Sequence, residues 1–145
     1  MRTPDELVGL YRARGFKVTP QRQAIFGVLH GNEAHPSAEA VHATVTTTMP
    51  AVSLRTVYSV LAELAEMGEI LQLDLGTGSG RFDPNTAAHH HLVCGRCGLV
   101  RDVHVDHPDV QPRQRDGAGF EITDTEIVFR GICDSCRGAD AAPRN

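Results

Sequence analysis

Two Cys-x-x-Cys pairs, Cys94/Cys97 and Cys133/Cys136, stand 35 residues apart and use all four cysteines of the chain. Each pair puts two thiolates on one tight turn, and four thiolates close a tetrahedral shell with no position left for a substrate. Whatever the C-terminal half folds into must bring residues 94–97 and 133–136 to one point. No apolar N-terminal segment with a cleavage site precedes them, so the chain reads as unexported and cytoplasmic, a setting that favours metal over disulfides. A redox dithiol is the alternative, but neither pair has a thioredoxin-like βαβ pattern beside it. The expectation is a structural Zn2+ bound by Cys94, Cys97, Cys133 and Cys136, contributing folding energy rather than catalysis.

Directly ahead of the first pair lie His89, His90 and His91. In an extended segment His89 and His91 point to one side and His90 to the other. Two imidazoles on one side suit iron, manganese, nickel or zinc if further ligands arrive from elsewhere. The competing reading is a polar hinge. His30 and His42 read as helix-surface residues, and His104 and His107 as solvated. On spacing alone His35, Asp83, Asp102 and Arg55 also count as ordinary solvated side chains.

The N-terminal half carries helical signals. Thr3-Pro4-Asp5-Glu6 is a capping-box pattern, followed by Leu7, Leu10 and Tyr11 and a stop at Gly15. Thr19-Pro20 opens a second helix with Ala24, Ile25, Val28 and Leu29 on its buried face, ending at Gly31. Ser37 caps a third to about Val45, with Ala38, Val41 and Val45 inward. The fourth runs from Ser53 to Gly68 with Val57, Val60, Leu61, Leu64 and Met67 at helical spacing, and Arg55, Thr56, Tyr58 and Ser59 open its other face. Leu71, Leu73 and Leu75 then alternate with Gln72 and Asp74, and Gly76-Thr77-Gly78-Ser79-Gly80 turns the chain into a short return strand at Arg81–Asp83. Helices followed by a two-stranded wing read as a winged helix-turn-helix.

After Pro84, strands are expected at about Leu92–Val93, Leu99–Val103, Phe120–Thr123 and Glu126–Ile132. Pro108 and Pro112 argue against a helix between Asp106 and Gly117, and the tail from Gly138 reads as disordered. The chain thus divides into a winged-helix DNA-binding domain at 1–84, a hinge at 85–90, a zinc-bearing domain at 91–137 and a tail at 138–145. The fold class is α+β, a winged helix followed by a small C-terminal α/β domain. No apolar run reaches the length of a membrane span. A net charge of -4 excludes nucleic-acid binding by bulk charge, yet residues 1–22 hold five basic residues (Arg2, Arg12, Arg14, Lys17, Arg22) against two acidic ones.

With these residues in view, the chain resembles the ferric uptake regulator family of metal-dependent bacterial repressors over nearly its whole length. The resemblance is carried by Arg14-Gly15 through Thr19-Pro20-Gln21-Arg22, His35-Pro36-Ser37-Ala38-Glu39, and Ser53-Leu54-Arg55-Thr56-Val57-Tyr58. His89 through Gly98 and Cys133-Asp134-Ser135-Cys136 complete it. It implies a homodimer that binds a palindromic double-stranded operator. It also implies a regulatory Fe2+ or Mn2+ site made by His35, Asp83, His89, His91 and Asp102, which raises His35 and both aspartates from solvated residues to ligands.

Aspartate rather than glutamate at 83 and 102 resembles the peroxide-sensing branch of that family. There, bound Fe(II) reacts with peroxide and a ligand histidine is oxidised, which points to His35 or His89 here. An iron- or manganese-responsive repressor without peroxide chemistry is the alternative. Arg55, Thr56, Tyr58 and Ser59 are the expected contacts on the fourth helix, with Arg14, Lys17 and Arg22 on phosphates. Departures from the family pattern are Ala88, His90 and Thr125, where some members build a further metal site, and Gln72 and Asp74, where nickel sensors place a His-x-His pair. A metalloenzyme with an open coordination position is the rival from another class, but no separate nucleophile or acid/base pair accompanies the histidines. A zinc chaperone or metal store is a third reading.

Overall fold

The computed structural model describes residues 1–76, 78–106, 110, 112–113, 116–123 and 125–140. The chain forms two compact units, Met1–Ala87 and Ala88–Asn145.

The first unit contains four helices and a hairpin: α1 (Pro4–Ala13), α2 (Pro20–Leu29), α3 (Ala38–Thr46), α4 (Leu54–Glu66), then β1 (Leu71–Leu73) and β2 (Arg81–Asp83). Each helix starts at a hydroxyl cap. Thr3, Thr19, Ser37 and Ser53 accept the N–H groups of Glu6, Arg22, Ala40 and Thr56, and at Thr3 the reciprocal bond from Glu6 completes the capping box. Helix α4 ends where Gly68 adopts φ +70° and its N–H reaches the Ala65 carbonyl at 3.0 Å, a left-handed turn that costs glycine little.

The apolar stripes of these helices meet in one core that includes Leu7, Tyr11, Ile25, Phe26, Leu29, Val41, Val57, Leu61, Leu64, Ile70 and Phe82. Phe26 is fully buried, although the stripe expected for α2 omitted it, while Ala24 and Val28 are only partly covered. Leu73 and Leu75 are buried as their alternation predicts, but Leu71 is exposed at the strand's start. His42 turns a ring nitrogen onto the Val52 carbonyl at 3.0 Å rather than facing solvent. Strands β1 and β2 pair antiparallel, Leu71 opposite Asp83, and form the wing. Thr77 in its turn lies outside the described residues.

The second unit is a three-stranded sheet, ordered β4-β3-β5, with β3 at His90–Cys94, β4 at Val100–Val103 and β5 at Val128–Gly131, followed by α5 at Asp134–Asp140. β4 runs antiparallel and β5 parallel to β3. Three expectations need correction. β3 begins at His90, two residues before the strand expected at about Leu92–Val93. Phe120–Thr123 is not a strand: β3 is flanked on both sides by β4 and β5, and the alternating Phe120 and Ile122 find no ladder, leaving Phe120 81% exposed. Gly138 does not open a disordered tail, because α5 runs on to Asp140, with Arg137 paired one turn back to Asp134. His107, Pro108 and residues 109, 111, 114 and 115 of the proline-interrupted stretch, and residues 141–145, lie outside the described residues.

Candidate metal centres and nucleic-acid interface

The four cysteines converge within the second unit, their Sγ atoms within 4.8 Å of one another. Local backbone bonding does this. Cys94 closes β3 and its carbonyl accepts the N–H of Gly98 at 2.9 Å, with Gly98 at φ +71° making the knuckle. The Gly95 N–H reaches the Gly131 carbonyl at 2.9 Å, which brings the end of β5 and then Cys133 alongside. The Cys133 N–H donates to Cys94 Sγ at 3.4 Å, and the Arg96 guanidinium spans to the Cys136 carbonyl at 2.8 Å. Cys97 and Cys133 Sγ lie 3.7 Å apart, too far for a disulfide.

Backbone N–H donors, led by that of Cys133, hold the Cys94 thiol down to about 6, whereas hydrogen bonding to neighbouring sulfurs, Cys133 first, pushes Cys136 up to about 12. Four sulfurs this close cannot all be thiolates without a cation among them. A closed set of four sulfur donors fits Zn2+ and excludes an open catalytic position.

The nitrogen and carboxylate donors form one group in each unit. In the first, His35 precedes α3 and Asp83 ends β2. The Phe82 N–H bonds to the Pro36 carbonyl at 3.0 Å and Arg81 to the His35 carbonyl at 3.4 Å, which lays the His35 loop against the wing. His35 adopts φ +48°, an uncommon conformation for a residue with a side chain, and its side chain is only 1% exposed. Its Nδ1 lies 3.0 Å from the Glu33 carbonyl, which can only accept, so in the neutral ring Nε2 carries the lone pair. That Nε2 faces Asp83 Oδ2 at 3.5 Å, while Asp83 Oδ1 accepts the Asn85 N–H at 2.7 Å.

In the second unit His89 Nε2 lies 3.0 Å from His91 Nε2 and 3.5 Å from Asp102 Oδ1. The strand register explains the meeting, because His91 pairs directly with Asp102 across β3 and β4. A 3.0 Å separation of two ring nitrogens requires a shared proton, and a cation would take its place. His90 points elsewhere, accepting the Ile127 N–H at 3.3 Å. Glu126 was missed by sequence reasoning: its Oε1 is 3.0 Å from His91 Nδ1. The only signal for it is its place two residues before β5, which the β3 register brings beside His91. Imidazole and carboxylate donors without sulfur suit Fe2+ or Mn2+.

On α4, Arg55, Tyr58 and Ser59 are exposed and Thr56 is half-buried, its hydroxyl 2.9 Å from the Ser53 cap. The Tyr58 hydroxyl donates to Glu39 Oε1 on α3 at 2.6 Å, a bond that lowers the carboxyl's pKa and raises the phenol's. Arg14 and Lys17 are exposed. Arg22 is turned inward. Its Nη2 makes bonds of 2.7 and 2.9 Å to both Glu63 oxygens, and its guanidinium lies 5.2 Å over the Tyr11 ring.

A capped helix pair with a wing, joined in sequence to a zinc-knuckle sheet and histidine–carboxylate donors, defines a metal-responsive DNA-binding regulator. The model of the Ferric uptake regulator family matches residues 13–130, and the chain belongs to that family. A peroxide-responsive repressor of Staphylococcus epidermidis is 31% identical over 134 residues, 92% of this chain and 89% of that protein. Among solved structures, the Francisella tularensis ferric uptake regulator with iron is 26% identical at a TM-score of 0.72, covering 85% of this chain and 96% of the other. The Helicobacter pylori ferric uptake regulator, at 19% identity, shares the fold at a TM-score of 0.76 over 92% and 90% of the two chains. Members of this family are metal-dependent transcriptional repressors that bind DNA and act as dimers, and this chain is such a regulator rather than an enzyme. No helix among the described residues is long and apolar enough to cross a membrane.

Proposed function

We propose that the chain is a cytoplasmic repressor that releases its operator when peroxide oxidises a ligand histidine. Its regulatory metal is bound by His35, Asp83, His89, His91 and Asp102, and its structural zinc by Cys94, Cys97, Cys133 and Cys136. The observation that carries the reading is the pairing of each aspartate with a histidine, Asp83 with His35 and Asp102 with His89. The 31% identity to a protein named as a peroxide-responsive repressor supports it. Fe(II), when bound, supplies one-electron reduction of hydrogen peroxide and hence a short-lived oxidant beside the imidazoles.

The protein's part is to hold Nε2 of His35, and the nitrogens shared by His89 and His91, toward the ion. An oxidised imidazole loses its donor lone pair, so the ligand set falls apart. Residues 1–84 serve as the DNA-binding domain, 85–90 as the hinge, 91–137 as the dimerisation domain and 138–145 as the tail. Because the ligands come from both sides of the hinge, bound metal selects one arrangement of the domains. In a homodimer that arrangement sets the spacing of two α4 helices on a palindromic operator. Arg55, Thr56, Tyr58 and Ser59 read the groove, and Arg14 and Lys17 hold phosphates. Arg22, committed to Glu63, supports the module from inside.

The test is operator binding with Fe(II) and with Mn(II), before and after peroxide, followed by peptide mass measurement. Loss of binding only in the iron form, with oxygen added to peptides containing His35 or His89, is expected. Loss by chelation alone, with no oxidation, would instead establish a plain iron or manganese sensor.

A further inference from the structure

Glu126 lies outside the proposed ligand set, yet its carboxylate touches a member of it, with Oε1 3.0 Å from His91 Nδ1. An ionised carboxylate has only acceptor sites, so the proton of this contact sits on His91 Nδ1. A neutral imidazole protonated there carries its lone pair on Nε2, the nitrogen that faces His89 Nε2 at 3.0 Å. We propose that Glu126 is a positioning residue for the regulatory metal, holding His91 in the Nδ1–H tautomer and ring orientation that present Nε2 to the ion. The inference rests on the metal site proposed above and deepens it.

The sheet itself delivers Glu126 to this place. The His91 N–H bonds to the Ile127 carbonyl at 3.1 Å, the Ile127 N–H to His90 Nδ1 at 3.3 Å, and His91 pairs with Val128 in the parallel register of β3 and β5. One residue earlier, the Glu126 side chain projects to the edge of the His91 ring. An unconstrained imidazole favours the proton on Nε2, which would have to move before that nitrogen could bind metal. His35 solves the same problem differently, with the backbone carbonyl of Glu33 at its Nδ1. A carboxylate does more than a carbonyl, because its charge also makes the ring a stronger donor. The Glu126 side chain is 45% exposed, so its removal opens no core cavity.

The full-length chain, loaded with zinc at its cysteines, is compared as wild type, Glu126→Gln and Glu126→Ala. Long-range 1H–15N spectra of His91 should report the Nδ1–H tautomer in wild type and in Glu126→Gln, whose amide oxygen still accepts. Glu126→Ala should move the proton to Nε2. Mn(II) affinity, measured by chelator competition, should fall on the order of 10–100-fold in Glu126→Ala and less in Glu126→Gln. Zinc content should stay unchanged in all three, reporting an intact fold. An unaltered tautomer with unaltered Mn(II) affinity in Glu126→Ala would overturn the inference alone. Failure of the wild type to take up Mn(II) would overturn the metal reading and this inference with it.

Discussion

Glu63 accepts two bonds from the Arg22 guanidinium across α2 and α4, beside a third from Arg22 to the Lys17 carbonyl, with the Glu63 and Arg22 side chains 18% and 17% exposed. Deleting Glu63 leaves that charge over Tyr11 and Phe16 with its partner gone. The cost should fall between that of a surface pair and that of a buried one, about 2 kcal/mol, read from urea unfolding of Glu63→Ala. Arg22→Ala should lose a similar amount of stability. Arg14→Ala and Lys17→Ala should leave stability alone, weaken operator binding, and each reduce the slope of log affinity against log salt by about 1. An Arg22→Ala protein of unchanged stability but reduced salt slope would return Arg22 to the phosphate contacts. At this scale the sequence was only partly legible. Arg22 looks like any basic residue near an N-terminus, because its partner lies 41 positions away. His35 and Asp83 carry no periodicity or spacing and stood out only through resemblance, since a loop bond from Phe82 to Pro36 brings them together. Glu126 had no motif at all.

Helix α4 has to hold its first turn still for Arg55 and Tyr58 to serve as contacts. Ser53 does this by accepting the Thr56 N–H at 3.1 Å and bonding the Thr56 hydroxyl. Ser53→Ala should cost about 1 kcal/mol of stability in thermal unfolding. Ser53→Asp should keep the cap and the stability while placing a negative charge where phosphate would approach, so its operator affinity should fall with no change in melting. A fall in affinity for Ser53→Ala alone would assign the hydroxyl to the interface instead. The elements of the first unit could be read because caps, glycine stops and 3.6-residue stripes are local signals. Those of the second unit were less so. The β3–β5 pairing is parallel and joins residues 37 apart, Cys94 with Gly131 and His91 with Val128, and nothing local encodes it. Phe120 and Ile122 alternate as a strand would, but alternation says nothing of a neighbour to bond with.

The two units differ in what stabilises them. The first has an apolar core of its own, while the described residues of the second bury little besides Val93, Cys94, Val100, His90 and His91. Removing zinc under reducing conditions should therefore melt the second unit and spare the helices of the first, seen as retained helical circular dichroism with loss of the β3 and β5 amide protection. Loss of both units together would show that the first depends on the second.

The same cluster fixes the direction of the pH dependence. In the zinc-free chain the Cys94 thiol ionises more readily folded than unfolded, so its contribution to stability is present above its ordinary 9.0 and is lost as pH falls through about 6. Cys136 is shifted upward, so it favours the folded state while protonated and opposes folding as pH rises above 9.0. The two effects act against each other without metal. Zinc removes the conflict by taking every sulfur as thiolate. Thiolate absorbance should then show all four ionised at neutral pH in the zinc form, and only a fraction ionised in the zinc-free form. Acid should release zinc as protons compete for the sulfurs, and the second unit should unfold in the same pH range in which zinc leaves.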